Sequence, residues 1–254
     1  MIKRIIAAVA LAALLLLTLT SCFSIPLGDI LGGTSSSSGD SVNLSELTDA
    51  VLNSQRASVR IEARHFDFGS VTTSQGSGAV FLLRNGAYYA LTNHHVLADD
   101  DGKLSSSVTV LDAYGAEYSS SVVAVSEEYD LGIVKFKKSK ELYTVPLASE
   151  NAPSNRTVYS IGTPEGLINA VTYGKIYLYS DIDKDELPTT VITHSCYVEH
   201  GSSGGGLFDA EGKLIGINYA YAESEAIDSR YAFAVPIEAI TEFLVQNNLM
   251  PKSE

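Results

Sequence analysis

The chain has 254 residues, 45% of them hydrophobic, and its 30 acidic side chains outnumber 17 basic ones to give a formal net charge of −13. Such an acidic balance argues against nucleic acid as a partner and against electrostatic docking onto anionic lipid. With two cysteines at most, Cys22 and Cys196, the fold must be held by its core and not by a disulfide framework.

The first segment carries export features. Lys3 and Arg4 precede an apolar run from Ile5 to Leu17, closed by Leu19-Thr20-Ser21-Cys22, so residues 1–21 are expected to be a signal peptide. The tetrapeptide resembles a bacterial lipobox, which implies lipidation of Cys22 and a membrane-anchored, extracytoplasmic lipoprotein. An ordinary signal with an incidental cysteine, or an uncleaved anchor, stays open. Residues 22–43 include Gly32-Gly33-Thr34-Ser35-Ser36-Ser37-Ser38-Gly39, a composition that buries little and reads as a flexible tether.

From residue 44 the pattern is that of a folded unit. Leu44, Leu47 and Val51 recur at helical spacing and predict a helix over 44–54. Short runs rich in Val, Ile, Tyr and Thr follow, over 58–63, 78–83, 88–92, 107–111, 122–126, 132–136, 157–161, 170–179, 190–197, 213–221 and 230–236. Strands so closely spaced, with helices at the ends alone, predict an all-β barrel or sandwich. Asn85-Gly86 predicts a tight hairpin. Pro236 opens a segment with Ile237, Ile240, Phe243 and Leu244 on one face, a packing helix over 236–248. Residues 140–152 are expected to cross between two lobes, 55–140 and 150–236, within one domain spanning 44–250. No internal repeat is visible.

Three motifs carry chemistry. His95 lies in Leu91-Thr92-Asn93-His94-His95-Val96, Asp130 enters the apolar run Leu131–Phe136, and Ser203 sits in Gly201-Ser202-Ser203-Gly204-Gly205-Gly206. Histidine, aspartate and serine in that chain order are the parts of a nucleophilic triad: base, orienting carboxylate and nucleophile. His94 is the rival base; neighbours on an extended chain point to opposite sides, so one of the two enters a cleft. Ser202 is the rival nucleophile. Asp99, Asp100 and Asp101 are read as a solvated hairpin tip, with a calcium loop as the weaker alternative. Cys196 is read as a small buried residue.

Over residues 50–248 the chain resembles trypsin-like peptidases of the HtrA/Deg type. Further matching segments are Gly76-Ser77-Gly78, Ile161-Gly162-Thr163-Pro164-Glu165-Gly166, Leu214-Ile215-Gly216-Ile217-Asn218 and Phe233-Ala234-Val235-Pro236. The resemblance implies a chymotrypsin-like double β-barrel and a serine endopeptidase with catalytic His95, Asp130 and Ser203. It also implies an oxyanion hole at the Gly201 and Ser203 amides, no cofactor or metal, and a primary pocket near Tyr197, Ile217, Asn218 and Tyr219. Protein or peptide substrates and a homotrimer are expectations by family analogy, and the stretch beyond Ser203 is read as too short for a PDZ domain. Ser202 and Gly206 replace the family's usual asparagine and proline, and a third glycine is expected to loosen the turn. The alternative is a non-catalytic trypsin-like lipoprotein that binds peptide or a surface partner.

Overall fold

The structure, a computed structural model, describes residues 44–67, 70–99, 101–137, 141–181, 187, 189–224 and 229–251. The expected signal, Cys22 and the tether lie outside the described residues. Helix α1 (Leu44–Ala57) leads into β1 (Ser58–Asp67), β2 (Ser70–Arg84), β3 (Ala87–Thr92), a one-turn helix α2 (His94–Leu97), β4 (Ser107–Leu111), β5 (Glu117–Ser126) and β6 (Leu131–Phe136). The second half contains β7 (Thr157–Gly162), β8 (Ala170–Ser180), β9 (Val191–His194), β10 (Gly206–Phe208), β11 (Leu214–Ser224), β12 (Ser229–Pro236) and helix α3 (Ile237–Gln246).

These strands close two barrels, β1-β2-β3-β6-β5-β4 and β10-β11-β12-β9-β8-β7. Counted round each ring, the two orders are the same. The fold therefore repeats a topology that the residues do not repeat. Alternation explains how the strands sit: Val59, Ile61 and Ala63 are buried while Arg60, Glu62 and Arg64 between them are not, the period of two that a half-buried strand requires. Bulges between Val80 and Leu82 and between Val122 and Ala124 bend the first barrel, and a bulge between Asn218 and Ala220 bends the second, as closure of a twisted sheet demands. The Asn85-Gly86 hairpin forms as expected, with positive φ at both residues.

The terminal helices cross-brace the barrels. Helix α1 precedes barrel 1 and reaches across to barrel 2: the Ser54 and Tyr159 hydroxyls hydrogen-bond at 2.9 Å, and Gln55 Nε2 donates to Asn169 O at 3.1 Å. Helix α3 follows barrel 2, yet its C-terminal end is held by Arg84 of β2, which donates to Asn248 O at 2.8 Å and Met250 O at 2.9 Å. Ile237, Ile240, Phe243 and Leu244 join one apolar cluster with Ile61, Leu91, Ile133 and Phe136 of barrel 1. Between β6 and β7 the chain bonds to both barrels. Val145 N donates to Val80 O of barrel 1, while Pro146 O and Ala148 N bond Leu214 of barrel 2. The crevice between the barrels is thereby fixed on both sides.

Three local expectations change. Strand β10 is new; its Gly206 pairs with Ile161 and Ile217, so the third glycine belongs to a ladder and not to the turn. A Cβ there would strike the Phe208 ring, so glycine makes room for an aromatic and does not loosen the loop. The run expected over 190–197 ends at His194, because Ser195 Oγ accepts the Lys175 N–H at 2.9 Å and takes the place of a ladder carbonyl. Finally, His94 and His95 lie in the first turn of α2 and not on an extended chain; Ala98 N closes that turn on His94 O at 2.9 Å.

Candidate functional site

The site assembles at the crevice because two backbones meet there. Ser77 N donates to Ser203 O at 2.7 Å, and Thr92 Oγ1 donates to Ser77 O at 2.7 Å. Thr92 ends β3 just ahead of the His94-His95 turn. Gly76, next to Ser77, faces Val96 and Ser203 O so closely that a Cβ would lie 2.6 Å from Val96 Cγ2 and 2.9 Å from Ser203 O. The Gly76-Ser77-Gly78 motif thus presses the Ser203 loop of barrel 2 against the His95 turn of barrel 1.

His95 and Asp130 meet directly. His95 Nδ1 lies 2.7 Å from Asp130 Oδ2, and the His95 backbone N–H donates to Asp130 Oδ1 at 2.9 Å. Asn93 Nδ2 donates to Asp130 O at 2.8 Å, so the segment bearing the histidine also holds the aspartate's main chain. Asp130 takes φ +48° at the end of a turn, where its N–H donates to Glu127 O at 3.2 Å. The carboxylate is largely covered, at 15% exposure, while the His95 ring is 44% exposed along the crevice. Desolvation pulls the His95 pKa down, but the hydrogen bond and charge of Asp130 outweigh it and leave it above 6.5. Among the described residues His94 has no such partner carboxylate.

Residues 199–202 form a tight turn. Ser202 N donates to Glu199 O at 2.8 Å, Gly201 has φ +92°, and His200 does not have positive φ, a combination that defines a type II turn with glycine at its third position. A Cβ on Gly201 would also collide with Thr163 O. His200 O is held by Glu165 N at 2.8 Å, and the peptide is trans, so the Gly201 N–H points to the opposite side. Among the described residues, the Gly201 and Ser203 amides donate to no protein acceptor. Ser202 is buried, and its Oγ accepts the Glu199 N–H at 3.3 Å; Ser203 is half-buried at the crevice. A cavity of about 310 Å³ opens beside this turn, bounded by Gln75, Thr163, Glu165 and His200.

The four residues expected to line a pocket divide. Tyr197 is half-exposed, and Tyr219 is partly buried with its ring 6.3 Å from Phe233. Ile217 and Asn218 have no exposed surface: Ile217 belongs to the core between the barrels, and Asn218 bonds His194 and Ser160 inside barrel 2. Both stand behind the surface a substrate side chain could touch. The sequence reading gave no role of their own to Glu199, Tyr221 and Arg230. Arg230 Nη2 donates to Glu199 Oε2 at 2.5 Å, and its guanidinium lies 4.6 Å from the Tyr197 ring centre and 4.2 Å from that of Tyr221. The acidic tip behaves as expected where it is described: Asp99 Oδ1 accepts Asp101 N and Lys103 N. Cys196 is buried, and desolvation pushes its thiol up to about 12.

A family model described as the trypsin-like peptidase domain matches residues 76–217. This chain belongs to the trypsin-like peptidase family. Its relatives within that family are of the HtrA type. The probable periplasmic DegP-like serine endoprotease of Buchnera aphidicola is 29% identical over 174 residues, 67% of this chain and 36% of the relative. The mitochondrial serine protease HTRA2 of Bos taurus is 31% identical over 226 residues, 86% of this chain and 46% of the relative. Among solved structures, the HtrA-type protease AlgW with tripeptide superposes with a TM-score of 0.66 at 26% identity, covering 80% of this chain and 63% of that one. The chain spans less than half the length of both curated relatives. The trypsin-like match begins at Gly76 and ends at Ile217, so it includes all three triad candidates.

Proposed function

We propose that this trypsin-like domain is a serine endopeptidase acting on protein or peptide substrates outside the cytoplasm. The observation that carries the proposal is the 2.7 Å contact between His95 Nδ1 and Asp130 Oδ2, facing a crevice against which the Ser203 loop is bonded. In this reading Ser203 Oγ attacks the scissile carbonyl carbon as His95 Nε2 takes its proton. Asp130 holds the Nδ1–H tautomer and stabilises the imidazolium. The Gly201 and Ser203 N–H groups receive the developing oxyanion, where one donor is worth ~3 kcal/mol. His95 then protonates the leaving amine, the acyl-enzyme forms, and a water activated by His95 releases the acid. Tyr197 and Tyr219 stand at the P1 side chain, and the pocket there favours a modest apolar residue over a basic one, with the neighbouring Glu199 carboxylate already bound to Arg230.

The extracytoplasmic setting is supported by the periplasmic relatives and by the export features of residues 1–21; lipidation at Cys22 would tether the domain to a membrane. Association as a homotrimer is part of the same proposal by family likeness. The test is fluorophosphonate labelling of the full-length protein beside Ser203→Ala. Labelling of the parent that vanishes in the variant supports the enzyme, whereas no labelling of folded parent protein overturns it in favour of a peptide-binding protein.

A further inference from the structure

The type II turn over 199–202 raises a physical question. Types I and II differ by a flip of the central peptide, here His200–Gly201, and glycine at the third position permits both. The flip decides which way the Gly201 N–H points. Some contact must therefore select the conformer, and the backbone bond from Glu165 N to His200 O holds one side of it.

The preceding peptide, Glu199–His200, is held by the Glu199 side chain. Its Oε1 accepts the His200 N–H at 2.9 Å, fixing the first corner of the turn, while Oε2 accepts from Arg230. Tyr221 hydrogen-bonds the same carboxylate. Arg230 is stacked between Tyr197 and Tyr221, and the His200 ring meets Tyr221 edge-on with centroids 5.7 Å apart. Burial alone would raise the Glu199 carboxyl, but its hydrogen bonds from Tyr221, the His200 amide and Arg230 outweigh that and hold it at about 2. The carboxylate is thus ionised throughout any working pH range. Glu199 and Arg230 are 13% and 20% exposed, so the pair is shielded from the screening that weakens surface ion pairs.

We propose that Arg230 is a positioning residue for catalysis: through Glu199 it locks the 199–202 turn in the conformer that presents the Gly201 N–H to the oxyanion. The start of β12 thereby sets the geometry of a loop far from it in sequence. Arg230 touches no reacting atom, and the pair rests on the serine-peptidase reading above. The rings of Tyr197 and Tyr221 flank the guanidinium, and stacking of this kind suits the planar head of arginine where the point charge of lysine does not.

The test uses the full-length protein, with p-nitrophenyl acetate as a small activated ester and a fluorophosphonate as the covalent probe. Arg230→Gln is expected to lower kcat and the phosphonylation rate about 10- to 100-fold with KM changed less than about threefold, because an oxyanion contact acts in the transition state. Glu199→Gln, which keeps an acceptor for His200 N–H but loses the ion pair, should move both rates the same way, and Arg230→Lys should recover part of the loss. If Arg230→Gln does not fold, Glu199→Gln decides by the same readouts. A parental kcat in the folded variants, or a rise in KM with kcat unchanged, overturns the clamp while leaving the peptidase reading intact. A parent that reacts with neither probe overturns the peptidase reading itself.

Discussion

Barrel 1 and barrel 2 close in the same ring order, yet they are filled differently and serve the site differently. Barrel 1 is packed by side chains such as Ile61, Leu91, Ile133 and Phe136, the last flanked by Tyr88 and Tyr118 at ring-centre distances of 5.9 and 5.8 Å. It supplies His95 and Asp130 from its rim, on a one-turn helix and a tight turn. Barrel 2 encloses a polar chain beneath the serine loop. His194 Nε2 donates to Asn218 Oδ1 at 3.0 Å, and Asn218 Nδ2 donates to Ser160 Oγ at 2.8 Å and to Gly205 O at 3.1 Å. The Asn218 backbone joins in: it accepts from Gly204 N at 2.8 Å and donates to Gly205 O at 2.9 Å. The lesson is that a dry core suffices where the functional groups sit on stiff surface turns. A glycine-rich loop with little side chain to pack needs directional bonds from below, and a buried polar network provides them.

The largest effect should come from the rim of barrel 1. Asp130→Asn leaves the packing intact but cannot hold His95 as the base requires, so kcat is expected to fall by a factor of about 10⁴, with the unfolding midpoint nearly unchanged. Steady-state hydrolysis of an ester or peptide, read beside thermal unfolding, checks both halves. A variant within tenfold of the parent would remove Asp130 from the triad.

Core substitutions separate the two barrels more directly. Phe136→Ala should destabilise by about 3–5 kcal/mol through lost burial and the cavity left behind, while protein that remains folded retains the parental kcat. Asn218→Leu takes their side-chain partner from the His194 ring and Ser160 Oγ, at about 1–3 kcal/mol for each unsatisfied group, and it should also lower kcat because Gly205 O keeps one of its two bonds from residue 218, the backbone one. Denaturant titration paired with kcat per folded molecule measures the contrast. Equal kcat losses in both variants would mean that the polar chain has no special tie to the loop.

Most of the barrel was legible in the sequence because each strand announces itself locally, by alternation or by a short β-branched run. The triad candidates were legible for the same reason, since each lies in a compact motif. What was hidden depends on contacts that only closure creates. Arg230 and Glu199 are 31 residues apart, and neither lies in a motif. Asn218 was placed at the pocket by the family resemblance, but the bulge that follows it resets the phase of the strand, and the residue before the bulge points into the barrel. Strand β10 was lost in the glycine run because three residues with no side-chain pattern of their own become a strand when β7 and β11 pair with them. The one-turn helix at His94 was missed because Thr-Asn-His-His carries no helical periodicity.

The remaining effect, read first in the unsubstituted protein, is pH. Burial drives the His194 pKa down from 6.5 to about 4, against the opposing hydrogen bond that the ring donates to Asn218 Oδ1, so the native interior holds the ring neutral. Between those two values the unfolded chain binds a proton that the folded one does not. The stabilisation is fully present above 6.5 and is lost as pH falls toward 4, by roughly 3 kcal/mol in all. Glu199 loses its contribution at lower pH, as its carboxyl is taken from 4.5 to about 2, so the two windows barely overlap. His95, raised above 6.5 by Asp130, acts with the opposite sign: its contribution is present at low pH and fades as pH rises through the folded value. At 44% exposure it is weakened by solvent. Denaturant midpoints across pH 4–7 should therefore fall with acidity in the parent. They should fall less in His194→Gln, whose amide can still donate to Asn218 but cannot titrate. An equal slope in the two proteins would place the proton uptake elsewhere and separate the polar chain of barrel 2 from the acid sensitivity of the fold.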